Sequence, residues 1–204
     1  TGIEYTLIIT VCSVFFGFII GILLALARMA KGNPLKTAIR WLATAYVEFI
    51  RGTPMMVQVM FVYFGLGLFV NLPALTSGII AISLNSGAYV AEYIRGGINS
   101  VDVGQTEAAR SLGMSNGETM RYVVLPQALK NIWPSLGNEF ITLIKDSSIV
   151  SIIGVTELIY QSNIVRSDTY RGVAPIVVIM VLYFILTFTA SRILNYFERR
   201  MQHD

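Results

Sequence analysis

The sequence predicts an all-α, polytopic membrane protein: five transmembrane helices and one large polar loop in a single domain, 1–204. Three observations carry this. Of 204 residues, 54% are apolar and only 13% are charged, where soluble domains carry roughly 25% charged residues. The mean hydropathy is +0.65. Uncharged runs of helical length recur along the chain, and about 20 such residues cross a hydrocarbon core about 30 Å thick.

The first run, 5–27, holds no charge from Tyr5 to Ala27. It is longer than the roughly 7–15-residue apolar region of a signal peptide, and no small-residue cleavage site follows, so it is expected to remain as a span. The chain opens on Thr1, so an N-terminal piece is expected to precede it. Gly17 and Gly21 make a small-xxx-small pair suited to close helix packing. Arg28, Lys31, Lys36 and Arg40 then crowd a loop around Gly32-Asn33-Pro34. From Leu35 to Ile50 apolar residues recur at Leu35, Ile39, Leu42, Ala45, Tyr46 and Phe49, the spacing of an amphipathic helix lying at the interface.

Between Arg51 and Glu92 lie 40 uncharged residues, enough for two spans with a turn. Asn71-Leu72-Pro73 supplies the turn. Pro54 suits a first helical turn, so the expected spans are 54–70 and 75–94. A polar stretch of about 95–130 follows, then a fourth span, 132–153, which contains Glu139, Lys145 and Asp146. Thr156 to Arg171 reads as a polar loop. The fifth span, 172–191, is 20 uncharged residues between Arg171 and Arg192. Basic residues concentrate in the loops after spans one and three and in the C-terminal tail. The positive-inside rule therefore puts these in the cytoplasm and the N-terminus outside.

Several chemistries are excluded. The net charge of +3 is small and scattered, which leaves nucleic-acid binding without support. Cys12 is the one cysteine and His203 the one histidine, against a disulfide framework or a His-built catalytic or metal site. Gly113-Met114-Ser115-Asn116-Gly117 matches G-x-S-x-G, but the hydrolase motif needs a preceding strand and a histidine base. No phosphate-cradling G-x-x-x-x-G-K-[ST] occurs, so any ATP and Mg would sit on a partner subunit, with no cofactor on this chain and no enzyme activity of its own.

The polar stretch carries a resemblance. Glu107-Ala108-Ala109, Gly113, Val123 and Leu125-Pro126 resemble the EAA loop of bacterial ABC importer permeases, with Val123 where isoleucine is usual. Glu48-Phe49-Ile50-Arg51-Gly52-Thr53-Pro54, Ala91-Glu92-Tyr93-Ile94-Arg95-Gly96-Gly97-Ile98, Leu125-Pro126-Gln127-Ala128 and Lys145-Asp146-Ser147-Ser148 are similar to the polar amino-acid subgroup, of the histidine, arginine and glutamine type. Ser147 stands where threonine is common. The resemblance implies a five-helix permease in the bacterial cytoplasmic membrane. It works beside a second permease copy, identical or a sister chain. An ABC ATPase subunit docks on Glu107, Ala108, Ala109, Ser111, Leu112 and Gly113, and an extracytoplasmic binding protein delivers a polar amino acid.

The residues agree on their own terms. Small Ala108 and Ala109 let a partner surface approach. Glu107 is read as an anion near the start of a short helix, favourable to its dipole. Gly113 and Ser115-Asn116-Gly117 turn the chain back, and Pro126 starts the next helix.

Ionisable residues inside a membrane are functional candidates. Helical spacing groups Asn138, Thr142 and Lys145 on one stripe, and Glu139, Thr142 and Asp146 on an overlapping one, with Ser147 adjoining. Asn85, Tyr89 and Glu92 form a second candidate wall and Gln58 a third contribution. The alternative for the helix-4 charges is that they bind other helices or fix the dimer seam. For Glu92 and Arg95 the preferred reading is support at a helix end. Acidic residues outnumber lysine in the fourth span, which leans towards cationic amino acids. The competing function is a gradient-driven secondary transporter or channel subunit. It has no evident inverted repeat and no use for the EAA loop. A membrane-anchored structural protein leaves Lys145 and Asp146 unexplained.

Overall fold

The structure, a computed structural model, describes residues 1–30 and 32–203, without the side chains of 201–203. Lys31 and the His203 side chain, both used above, lie outside the described residues. Helices follow one another as α1 (Gly2–Met29), α2 (Pro34–Arg51), α3 (Met55–Met60), α4 (Ala74–Asn99), α5 (Val103–Ser111), α6 (Asn116–Thr119), α7 (Leu125–Asp146), α8 (Leu158–Thr169) and α9 (Ala174–His203). A widened π turn, Phe61–Gly65, and a tight turn, Leu66–Leu68, prolong α3. A second wide turn, Met120–Val124, joins α6 to α7, and a tightened 3₁₀ stretch, Ser147–Ile153, prolongs α7. No strand occurs among the described residues.

Gly2–Met29, Ala74–Asn99 and Ala174–Arg200 are each long and apolar enough to cross a membrane. Two bent pairs raise the number to five if each is one span: Pro34–Arg51 with Met55–Leu68, bent by 108°, and Asn116–Ile153 with Leu158–Thr169, bent by 53°.

α4 is the enclosed centre and α9 the periphery: 61% of the most apolar stretch of α4 is buried against 6% for α9. α1 lies along α4 through a small-residue face, Thr6, Thr10, Ser13, Gly17 and Gly21, all buried. Its opposite face, with Val11, Phe15, Leu23 and Leu26, is exposed, as expected of a surface against lipid or another subunit. The main apolar core joins Ile9 of α1, Val59 and Val62 of the α3 run, Ile82 of α4, Leu143 of α7 and Val150 beyond it. A smaller cluster, Ala25, Val47, Ala88 and Ala91, ties α2 to α1 and α4.

Several expectations change. The amphipathic helix is present as α2, capped by the Asn33 side chain accepting from Lys36 N at 3.0 Å, but it turns sharply into α3. The run Met55–Leu68 is only about 21 Å long at about 1.5 Å per residue, shorter than a full crossing. Thr156–Arg171 is not a loop: it contains α8. The buried Glu157 caps this helix by accepting from Ile159 N and Tyr160 N, both at 2.8 Å, and Leu158 and Ser162 are buried. Its polar composition hid it. Pro126 sits in the first turn of α7, yet the helical run begins earlier, at Asn116. The missing N–H of proline would strip a partner from the carbonyl four residues back and its ring would crowd it. The wide turn relieves this, with Leu125 N bonding to Met120 O. Lys145 and Asp146 fall where α7 tightens into the 3₁₀ stretch, rather than in the middle of an uninterrupted helix.

Candidate functional site

The polar loop is built as an outward-facing platform. Asp102 caps α5, its side chain accepting from Gly104 N at 2.7 Å. Glu107, Ala108, Ser111, Leu112 and Gly113 are exposed, Leu112 at 84%. Val103 and Leu112, at the two ends of α5, are both exposed apolar side chains, each free to meet another protein. Ala109 differs: it is 4% exposed, so its methyl packs inside its own loop. The expectation of two alanines open to a partner therefore holds by exposure for Ala108 alone. Glu107 lies past the first turn of α5, which contains no acidic side chain; the anion at the helix start is Asp102. Gly113 has φ +86° and a Cβ there would meet nothing within 4 Å. Its role is conformational: a side chain at that φ costs about 1–2 kcal/mol. Ser115 and Glu118 close a reciprocal capping box that starts α6.

This platform is fastened to the helices behind it. Asn131 Nδ2 donates to Ser100 Oγ at 2.9 Å, and Gln127 Nε2 to Gln105 Oε1 at 3.4 Å. Gly97 presses on α7 so closely that a Cβ would lie 2.2 Å from Ile132 Cγ1. α5 is thus bonded to α7 through Gln105, and α7 in turn is fastened to the end of α4.

The expected stripes of α7 face different neighbours. Glu139 is 8% exposed and turned towards α4, where Tyr93 OH donates to its Oε2 at 3.2 Å. Asp146 and Thr142 are half-buried, and Asn138 and Lys145 are exposed. Lys145 borders an open groove with Ser148, Ile159, Ile179, Met180 and Tyr183, away from Glu139. Ser147 is buried and donates back to Ile144 O at 2.7 Å, so its proton is spent on the helix. Across the core, Gln58 and Asn85 meet: Asn85 Nδ2 donates to Gln58 Oε1 at 2.9 Å, while Gln58 Nε2 reaches Ile50 O at 2.7 Å and Thr53 Oγ1 at 2.8 Å. That pair holds the α2–α3 bend against α4.

Glu92 is the hub of an ion node. Arg28 Nη1 donates to its Oε2 at 2.6 Å, Arg51 Nη1 lies 3.7 Å from the same oxygen, and Arg95 pairs with Oε1. The three arginines come from α1, α2 and α4. Arg51 also stacks over Tyr89, 5.4 Å from the ring centroid, and Tyr89 neighbours Tyr93 at 6.4 Å. Arg51, Tyr89, Tyr93 and Glu139 thus follow one another in contact. Sequence reasoning placed Glu92 and Arg95 at a helix end but missed Arg28 and Arg51 as their partners. The basic residues closing α1 and α2 were the available signal.

Comparison with known proteins agrees with this architecture. Residues 6–203 match the model of the family described as the binding-protein-dependent transport system inner membrane component. A putative glutamine transport system permease protein, GlnP, of Rickettsia bellii is 41% identical over 98% of this chain and 91% of its own length. The arginine transport system permease protein ArtQ of Bacillus subtilis is 39% identical over 100% and 92%. Among solved structures, an amino acid ABC transporter crystallised with histidines superposes with a TM-score of 0.91, at 49% identity over 98% of this chain and 92% of that one. The MetNI methionine ABC transporter, at 22% identity and a TM-score of 0.80, shares the fold.

Proposed function

The chain belongs to the family of inner membrane components of binding-protein-dependent transport systems, and on that premise we propose that it is the permease subunit of an ATP-driven importer of polar amino acids. The carrying observation is the pairing of an exposed platform, α5 to Gly113, with a polar helix wall behind it, joined through Gly97, Ser100 and Gln105. A partner ATPase presses on Ala108, Leu112 and their neighbours, and the push reaches α4 and α7 as one body. Family membership weighs against a gradient-driven transporter, which has no part for such a platform.

The wall is the substrate path. Glu139 and Asp146 face inward, while Lys145 looks into the groove beside α9, so the α7 stretch of the path presents negative charge. That favours amino acids with cationic side chains, an arginine-type cargo over glutamine. The topology that fits is five crossings, close to 5–27, 54–70, 75–94, 132–153 and 172–191, the short second one counted together with α2 as a single bent span. The N-terminus faces out and α5 faces the cytoplasm, with a second permease copy completing the pathway. The binding protein meets the outer face.

Glu139→Gln with Asp146→Asn, in the reconstituted complex with its binding protein, is expected to lower arginine uptake at least tenfold while sparing ATPase assembly. Unchanged uptake of labelled arginine and lysine removes the pathway assignment.

A further inference from the structure

The ion node holds more positive charge than the chain neutralises. Three guanidiniums converge on Glu92, and no other carboxylate among the described residues lies within 4 Å of any of them, so three positive charges against one negative leave a net +2. The three are not equivalent. The Arg28 side chain is 11% exposed and firmly bonded at 2.6 Å, and Arg95 pairs with Glu92 three residues away on its own helix. Arg51 is 40% exposed, lies 3.7 Å from Glu92 and makes no hydrogen bond among the described residues. Its fork of donors is open.

The helix that carries Arg51 shows which way it looks. At about 100° per residue, Arg40, Thr44, Glu48 and Arg51 fall within an arc of about 80°, a polar stripe along α2. The exposed Leu35, Leu42 and Phe49 lie on the far side, and the buried Ala43 and Val47 separate the two. Arg51 therefore faces the polar side of α2, not the side offered to lipid, with its guanidinium carbon over the Tyr89 ring. A guanidinium seated against a ring, short of counter-charge and open to water is suited to bind a carboxylate two-pronged.

We infer that Arg51 is a carboxylate-binding station for the amino-acid substrate, at the α2 end of the same wall that carries Glu139. It rests on the proposed transport of amino acids and adds what that reading lacks: a group that recognises the α-carboxylate, which amino acids share whatever their side chain. The wall then sorts on two features, the side-chain cation at Glu139 and Asp146 and the α-carboxylate at Arg51. Tyr89 and Tyr93 bridge the two stations.

The test is direct binding of labelled arginine and of agmatine, its decarboxylated counterpart, to the purified permease–ATPase complex without the binding protein. Wild type is expected to hold arginine at least tenfold tighter than agmatine. Arg51→Gln is expected to bring arginine down to the agmatine level and leave agmatine affinity in place, which also shows that the path is still folded. Arg51→Lys, which keeps the charge but loses the fork, is expected to fall between. An arginine-to-agmatine ratio that survives Arg51→Gln overturns this station and leaves the transport reading standing. A wild-type complex that binds no amino acid in this assay overturns the station, and a complex that also fails to import any amino acid with its binding protein overturns the transport reading itself.

Discussion

A Cβ on Gly21 would lie 2.4 Å from Val90 Cγ1, and one on Gly87 2.5 Å from Ile20 Cγ2. These two glycines set the distance between α1 and α4, each taking the branched side chain of the other helix into its own gap. Overfilling a packed site costs about 1–3 kcal/mol, and here the obstacle is a β-branched side chain backed by a helix. Gly87→Val is therefore expected to lower the melting temperature of the complex in detergent and its yield. Gly96→Ala, whose added methyl meets nothing within 4 Å, serves as the control and is expected to change neither. Equal melting temperatures for the two variants would dissociate the glycines from the packing. Gly17 and Gly21 were readable in the sequence as a small-residue pair. Their counterparts on α4, Ser86 and Val90, were not, because spacing within one helix does not say which side chains of another fill its gaps.

At the scale of elements, α5 separates two roles that its sequence merges. Ala108 points out and Ala109 points in, so a bulky charge affects different things at each. Ala108→Arg is expected to leave the permease folded and abolish co-purification of the ATPase together with ATP-dependent uptake. Ala109→Arg is expected to disrupt the loop itself, with protease cleavage between α5 and α7 as its sign. Both variants behaving like wild type would remove α5 as the docking element. The long elements were legible because an uncharged run has one stable form in hydrocarbon, a helix that satisfies its own backbone. What escaped was set by tertiary context. α8 is polar and capped by a glutamate, an uncommon capping side chain. The 108° bend at Gly52-Thr53-Pro54 is held by Gln58 bonds to Ile50 and Thr53 that no periodicity encodes. Helical angle groups the polar residues of α7 into stripes, but angle alone does not say which neighbour each stripe meets. Glu139 went to α4 and Lys145 to the groove beside α9.

For the whole molecule, the proposed arrangement makes a sidedness prediction. The exposed Ser111 on α5 and Asp168 on α8 are placed on opposite sides of the membrane. In a Cys12→Ser background, Ser111→Cys in intact cells is expected to resist a membrane-impermeant maleimide until the membrane is opened, and Asp168→Cys to react at once. The reverse pattern would invert the orientation, and equal reactivity would break the five-crossing count. The positive-inside bias supports the first outcome, since Arg28, Arg51 and Arg95 all gather at one end of their helices.

The wide turn at Met120–Val124 sets a phase relation. A π turn holds one residue more than an α turn, so every side chain after it is rotated by about 100° relative to an unbroken helix. Ser115 and Glu118 set the angular origin at one end of this run, and Glu139 reads out the angle at the other. The exposed α5–α6 platform and the carboxylate that faces Tyr93 are therefore set at a fixed angle to each other through a single residue. One residue inserted or deleted between Asn116 and Glu139 would turn Glu139 by about 100° away from Tyr93, and in that respect the segment behaves as a shaft keyed at both ends rather than as a tether.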